Sequence, residues 1–290
     1  MNQELIGHQK IVNFFEQAEE NEQLSHAYCL VGPKNVGKSR IAERVSKKLL
    51  RSDELEKSPD FKRVKTRDSQ EIKINQIREA RSFVSAQGYG ESKVLLIEEG
   101  EKMNQNSANA FLKTLEEPAE DTTIFVLLTD ENSLPATINS RCQTIYVRPV
   151  DSENIEEYLK SQELDEDIVQ GIKKSSCGLT EQARDWSKNY EKYEEFKDLI
   201  SVLEQMKEEP FYEKTNLIND LYNSDRKELE QVISNWQQGL HLHLQTEIFE
   251  LGLDFKEVQD VLRVLQKSKE NLRKNINKKI ILDKILQTIP

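Results

Sequence analysis

The sequence predicts an α/β domain built on a parallel sheet with covering helices, followed by two all-helical domains. Three observations carry that expectation. From about residue 27 to residue 150, short apolar runs rich in β-branched residues alternate with helical patterns. Beyond Pro149 the strand signals vanish. A glycine-bounded segment, Gly32 to Ser39, falls where the first strand should hand over to its helix.

The expected strands are Ala27 to Val31, Phe61 to Val64, Val94 to Ile97, Ile124 to Leu128 and Thr144 to Val147. Between them Ile41, Val45 and Leu49 recur at helical spacing, as do Ile77, Ala80 and Val84. Ala108, Phe111, Leu112 and Leu115 then mark a helix that Pro118 should end. Past Pro149, Ile155, Tyr158 and Leu159, then Ile168 and Ile172, then Leu179 to Trp186, read as a small helical unit. The remainder carries amphipathic stretches at Leu199 to Met206, Leu229 to Leu240, Val258 to Leu265 and Ile276 to Leu286, with Pro210 and Gly252 between them. Trp186 and Trp236 fall at apolar helical positions and are expected in cores. At 290 residues the chain exceeds what one core usually organises. The expected division is therefore 1–150, 151–190 and 191–290.

Charge bears on partners: 41 basic and 52 acidic residues give −11, spread along the chain. Long-range attraction to a phosphate backbone is weak, so contact with DNA would need a local patch or positively charged neighbours. No apolar run approaches bilayer length, which predicts no membrane partner. Cys29, Cys142 and Cys177 are far apart and form no Cys-x-x-Cys pair, which argues against a disulfide framework and a structural zinc site. A soluble chain of the reducing cytoplasm is expected. His241 and His243, two apart on an expected helix, point to different faces and are not a metal pair.

Gly32-Pro33-Lys34-Asn35-Val36-Gly37-Lys38-Ser39 satisfies G-x-x-x-x-G-K-[ST] between a strand and a helix. Glycines let backbone N–H groups close around phosphate oxygens, and the helix N-terminus adds a favourable dipole. Lys38 would reach the β- and γ-phosphates of ATP or ADP, and the Ser39 hydroxyl would hold Mg²⁺. Such chemistry needs a second acidic element at the end of a neighbouring strand, which Val94 to Ile97 running into Glu98-Glu99 supplies. A solvated acidic turn is the plainer reading of that pair taken alone.

His26-Ala27-Tyr28 before the glycine loop, Ile97 to Met103, Asn109 to Pro118 and Ser140-Arg141-Cys142, in that order and spacing, resemble clamp-loader subunits of the AAA+ family. The ending, Asn275-Ile276-Asn277 into Leu282 to Leu286, resembles the family's last collar helix. The resemblance implies an AAA+ domain, a helical lid and an oligomerising collar. It also implies a hetero-pentamer with motor and delta subunits, acting on a sliding clamp and primer-template DNA during replication.

By the same correspondence Arg141 is a finger that acts in trans on a neighbouring subunit's ATP site, and Glu99 orients a water. Thr129 is the implied γ-phosphate sensor. Ile6 and Gly7, with His8 beside them, fall where the family's N-terminal segment packs near adenine, although a polar helix start explains His8 as well. Three departures matter. Glu98 stands where the family has the Mg²⁺-ordering aspartate. In Gly178-Leu179-Thr180-Glu181-Gln182-Ala183, Glu181 replaces the lid arginine and Arg184 comes three residues late. Leu50 to Asp60 lacks the cysteines of the zinc module found in many bacterial relatives, so no zinc is predicted. A weakened acidic motif beside a retained finger resembles the delta-prime type more than the motor type, with weak or no turnover by the chain alone. The alternatives are the motor ATPase of the same loader, another P-loop NTPase such as a small-molecule kinase, and an adaptor with a relic site. The kinase reading needs a basic lid, and residues 151–190 are mostly acidic.

Overall fold

The computed structural model describes residues 5–66, 71–116, 119, 121–207, 209–245 and 251–290. The chain divides into two compact units, Met1–Ser161 with Gly178–Ala183, and Gln162–Cys177 with Arg184–Pro290. Glu117 and Pro118 of the quoted motif lie outside the described residues.

The first unit runs α1 (Gln9–Glu20), β1 (Ala27–Val31), α2 (Lys38–Leu49), β2 (Phe61–Val64), α3 (Ile74–Ser85) and β3 (Lys93–Ile97). It continues with α4 (Gln105–Glu116), β4 (Thr122–Leu128), α5 (Ala136–Asn139), β5 (Gln143–Tyr146) and α6 (Ser152–Lys160). The strands pair in the order β2-β3-β4-β1-β5, every pair parallel. The expected parallel sheet with covering helices is thus present, with strand ends moved by one or two residues. β3 begins at Lys93 because that side chain is buried and its Nζ donates to the Phe83 carbonyl at 3.0 Å, behaving as an interior residue. Val147 falls just past β5, although its N–H still donates to the Val31 carbonyl at 2.7 Å.

Strand alternation builds two layers, because successive side chains leave opposite faces of a sheet. Cys29, Val31, Leu95, Ile97, Val126 and Leu128 share one face with Ile77 and Ala80 of α3 and Phe111 and Leu115 of α4. Tyr28, Leu30, Leu96, Phe125 and Leu127 share the other with Ile41, Val45 and Leu49 of α2 and Phe15 of α1. Strands buried on both faces read as continuous apolar runs, as Val94 to Ile97 does.

The second unit contains α7 (Glu166–Ser175), α9 (Tyr190–Met206), α10 (Phe211–Leu217), α11 (Asn219–Asn223), α12 (Arg226–Gln245), α13 (Phe255–Arg273) and α14 (Lys278–Thr288). α8 (Thr180–Lys188) starts in the first unit and ends in the second. α9 begins nine residues before Leu199, since Tyr193 and Phe196 extend the buried stripe of Ile200, Leu203 and Met206. α14 begins at Lys278 because the Asn277 side chain accepts from the Lys279 N–H at 2.9 Å. Trp186 stacks near Phe196, centroids 4.8 Å apart, and Trp236 donates its indole N–H to the Leu199 carbonyl at 2.9 Å, so both tryptophans are core residues.

Candidate functional site

Parallel strands deliver their carboxyl ends to one rim, where open α/β sheets hold their ligands. β1 ends at Val31, level with Leu128 of β4 and Tyr146 of β5, and Ile97 of β3 is level with Val126. The segments that follow, Gly32 to Gly37, Glu98-Glu99 and Thr129, therefore gather at that rim.

The glycine loop is closely fitted. A Cβ on Gly32 would lie 2.1 Å from the Val147 carbonyl oxygen. Asn35 and Gly37 take positive φ, 62° and 105°, and a Cβ on Gly37 would meet Thr180 Oγ1 at 2.7 Å. Val36 is fully buried, and its carbonyl accepts from His8 Nε2 at 2.7 Å and from Thr180 Oγ1 at 3.0 Å. The Asn35 carbonyl accepts from the Glu181 N–H at 2.8 Å, while the Glu181 carboxylate pairs with Arg40 at 3.1 Å. The loop is thus held in shape by residues 8, 180 and 181. Because the Val36 carbonyl can only accept, His8 carries its proton on Nε2, and burial holds its pKa below the ordinary histidine value.

Lys38, at the start of α2, donates its Nζ to the carbonyls of Gly32 and Pro33, each at 2.7 Å. Burial pushes its pKa down to about 8, partly offset by Glu101 and reinforced by Lys34. A half-buried ammonium that donates to two neutral carbonyls, with Glu101 offsetting its burial only in part, is under-compensated, and phosphate oxygens would supply the remaining counter-charge. The cradle of Gly32, Gly37 and Lys38 therefore fits a nucleotide's phosphates.

Ser39 Oγ donates to Glu98 Oε1 at 3.2 Å. The same carboxylate oxygen takes a short bond from Arg63 Nη1, which also donates to Glu43 Oε1 at 3.0 Å. Arg63 Nε donates to Glu56 Oε1 at 2.7 Å. Burial works against that guanidinium's charge, but its bonds to Glu98, Glu56 and Glu43 outweigh it and raise its pKa. Glu99 sits at φ 52°, and its carboxylate accepts from Thr66 Oγ1 at 2.7 Å and pairs with Lys102 at 2.9 Å. Burial would raise its pKa, yet those partners lower it, which keeps Glu99 ionised. Thr129 Oγ1 donates to Glu101 Oε1 at 2.9 Å. Ile6 is buried, and Gly7, at φ 63°, leaves no room for a side chain, since a Cβ would stand 2.8 Å from Val150 Cγ1. His8 immediately precedes α1, and its ring reaches the Val36 carbonyl of the glycine loop.

Arg141 is not with this group. It lies two residues before Gln143, which is level with Tyr28 near the start of β1. Four residues of strand separate Tyr28 from Gly32, about 13 Å at 3.3 Å per residue, and Arg141 lies beyond that on the amino rim. Its Nη1 donates to the Thr137 carbonyl and its Nη2 to Glu116 Oε1, both at 3.0 Å, with the side chain 38% exposed.

Sequence reasoning missed Arg63, and it read Thr180 and Glu181 only as parts of a lid motif. In Phe61-Lys62-Arg63-Val64 the arginine reads as an ordinary polar position of a strand, and its three carboxylates come from three distant segments. No local signal marks such a meeting.

A parallel five-stranded sheet in this order, with the G-x-x-x-x-G-K-[ST] loop at the carboxyl rim of its second-last strand, is an α/β fold of the P-loop kind. Residues 7–151, half of the chain, match the family described as DNA polymerase III, delta subunit. The chain belongs to that family, among clamp-loader subunits of the delta-prime type. DNA polymerase III subunit delta′ of Pseudomonas aeruginosa is 35% identical over 139 residues, which is 41% of this chain and 42% of that protein. The Bacillus subtilis subunit delta′ is 29% identical over 211 residues, 67% of this chain and 64% of that protein. The matched part thus spans less than two thirds of either relative. A gamma subunit-related DNA polymerase III protein from Thermotoga maritima shares the fold, with a TM-score of 0.57 and 18% identity over 94% of this chain and 97% of that one.

Proposed function

We propose that the chain helps a DNA polymerase III clamp loader place the sliding clamp on primed DNA, holding ATP or ADP at its own P-loop and lending Arg141 to a neighbouring motor subunit. The observation that carries this reading is the separation of the two features. The phosphate cradle of Gly32, Pro33, Asn35, Val36, Gly37, Lys38 and Ser39 is at one rim of the sheet, and Arg141 is at the other. An arginine beyond about 13 Å of strand cannot serve its own phosphates, whereas its exposed position suits a partner's.

Within this reading Lys38 compensates phosphate charge, Thr129 lies at the strand end where a γ-phosphate would be sensed, and Ile6 and Gly7 flank the adenine. Glu99, ionised beside Thr66 and Lys102, would hold a water against the γ-phosphate. Ser39 and Glu98 are the residues that would hold Mg²⁺, which would supply charge compensation for phosphoryl transfer. A trans guanidinium contributes when charge develops on the transferred group, which is a transition-state effect. The lid at 151–190 and the collar at 191–290 would carry assembly with motor and delta subunits, in a cytoplasmic hetero-pentamer.

The deciding experiment mixes the purified chain with motor and delta subunits, weighs the complex and measures its DNA-stimulated ATPase and clamp loading. Arg141→Ala should leave assembly and nucleotide binding intact and slow both activities, and Lys38→Ala should do much less. The reverse pattern would make this chain the motor ATPase, a reading favoured by the complete Gly32 to Ser39 motif and the ionised Glu99.

A further inference from the structure

The divalent-cation position of a P-loop site lies between the loop's hydroxyl and the first acidic residue, here Ser39 and Glu98. In this chain that position already has a cation beside it. Glu98 Oε1, the oxygen that Ser39 faces at 3.2 Å, is also the oxygen that accepts from Arg63 Nη1. The same Nη1 reaches Glu43 Oε1 at 3.0 Å, and Ser39 Oγ lies 3.5 Å from that oxygen too. One guanidinium nitrogen thus bridges the two carboxylates nearest the loop hydroxyl.

Arg63 is built into this place. It stands on β2 opposite Leu96 of β3, and the Glu98 N–H donates to the Val64 carbonyl at 2.9 Å, so backbone pairing brings Arg63 and Glu98 together. Its guanidinium lies over the Phe61 ring at 5.5 Å, and its Nε is held by Glu56 at 2.7 Å. The side chain is only 17% exposed. An arginine does not shed its proton to relieve repulsion, and its planar fork suits bridging carboxylates. Mg²⁺ demands near-octahedral oxygen ligands at about 2.0–2.1 Å. At Glu98 it would compete with Arg63 for the carboxylate's charge, and it would sit against a fixed positive charge.

We propose that Arg63 is the resident counter-cation of this nucleotide site: it neutralises Glu98 and Glu43 beside the phosphates, so that the chain holds nucleoside diphosphate with little dependence on Mg²⁺. The proposal rests on the P-loop binding nucleotide. It assigns Arg63 a positioning role, acting through Glu98.

The test is calorimetric titration of ADP into the full chain, in excess MgCl₂ and in excess EDTA, for the wild type, Arg63→Gln and Arg63→Lys. The wild type should bind ADP in EDTA within about threefold of its affinity in Mg²⁺. Arg63→Gln, leaving Glu98 without its guanidinium and Glu43 with only the longer Arg40 contact at 3.4 Å, should lose about tenfold or more in EDTA and recover in Mg²⁺. Arg63→Lys, which keeps the charge, should stay near the wild type. Wild-type binding that vanishes in EDTA and returns with Mg²⁺ overturns the role of Arg63 while leaving the nucleotide site standing. Absence of ADP binding by the wild type in both buffers overturns the nucleotide site itself. The wild-type comparison decides even if Arg63→Gln does not fold.

Discussion

Arg141 Nη2 donates to Glu116 Oε1 at 3.0 Å, joining the second residue after α5 to the last residue of α4. The pair is 38% and 49% exposed, so it orients the guanidinium without burying it. An exposed ion pair contributes about 0.2–1 kcal/mol, which a binding partner easily replaces. Glu116→Gln should therefore leave the melting temperature nearly unchanged while loosening the finger. In a reconstituted loader, Arg141→Ala should lower turnover at the adjoining site by roughly a thousandfold, the scale of an arginine finger. Single-turnover hydrolysis in the complex measures it, and normal rates with Arg141→Ala would remove the finger role.

Lys38 predicts a pH signature. With its pKa near 8 in the free protein, part of Lys38 is neutral amine at that pH, and phosphate binding should draw a proton onto it. Titrating ADP at pH 8 in buffers of different ionisation enthalpy should show net proton uptake, and affinity should fall as pH rises above that value. Lys38→Arg, which remains charged, should lose the dependence. The free protein's stability moves the other way: between about 8 and the ordinary lysine range the unfolded chain binds the extra proton, so stability grows with pH.

Gly37→Ala should be costly for two separable reasons. Its φ of 105° is unfavourable for an L side chain, and the added Cβ would press on Thr180 Oγ1 at 2.7 Å. A loss of about 1–3 kcal/mol is expected from the backbone alone. Denaturant unfolding of Gly37→Ala beside Gly37→Ala/Thr180→Ser, which keeps the clash, and Gly37→Ala/Thr180→Ala, which removes it, separates the two. Because Thr180→Ala alone also removes a donor to the Val36 carbonyl, each double variant is compared with its own Thr180 single variant, and a Gly37→Ala cost that is equal in all three backgrounds would mean that the contact contributes nothing.

The Val36 carbonyl has two donors, His8 and Thr180, and is buried. Either Thr180→Val or His8→Ala leaves one donor, at about 1 kcal/mol each. Removing both leaves a buried acceptor with neither, so the double variant should lose at least about 0.5 kcal/mol more than the sum. Additive losses in a double-mutant cycle would show that the two bonds are independent.

The sheet was legible because strands buried on both faces advertise themselves: Val94 to Ile97 and Ile124 to Leu128 admit few other readings. The glycine loop was legible because its chemistry is local, eight consecutive residues with fixed tasks. Helix starts in the second unit were not, since the nine residues before Leu199 are mostly charged and only Tyr193 and Phe196 carry the stripe. The partners of the site residues were hidden for a different reason. His8 meets Val36 across 28 residues, Arg63 meets Glu98 across 35, and Thr180 meets Val36 across 144. Such meetings are created by strand order, which no short pattern encodes.

That strand order also gives the molecule a direction. The cradle and the finger stand at opposite ends of β1 and its neighbour β5, as a socket and a plug stand at opposite ends of a cable. Two copies joined about a twofold axis would set plug against plug and leave both unmated, because a twofold contact always faces a patch with itself. Mating requires head-to-tail contact, and a head-to-tail series either closes on itself or has two unlike ends. If, as proposed, the cradle holds its ligand idly while Arg141 acts on a neighbour, the chain suits the end of such a series at which nothing further is asked of its own cradle.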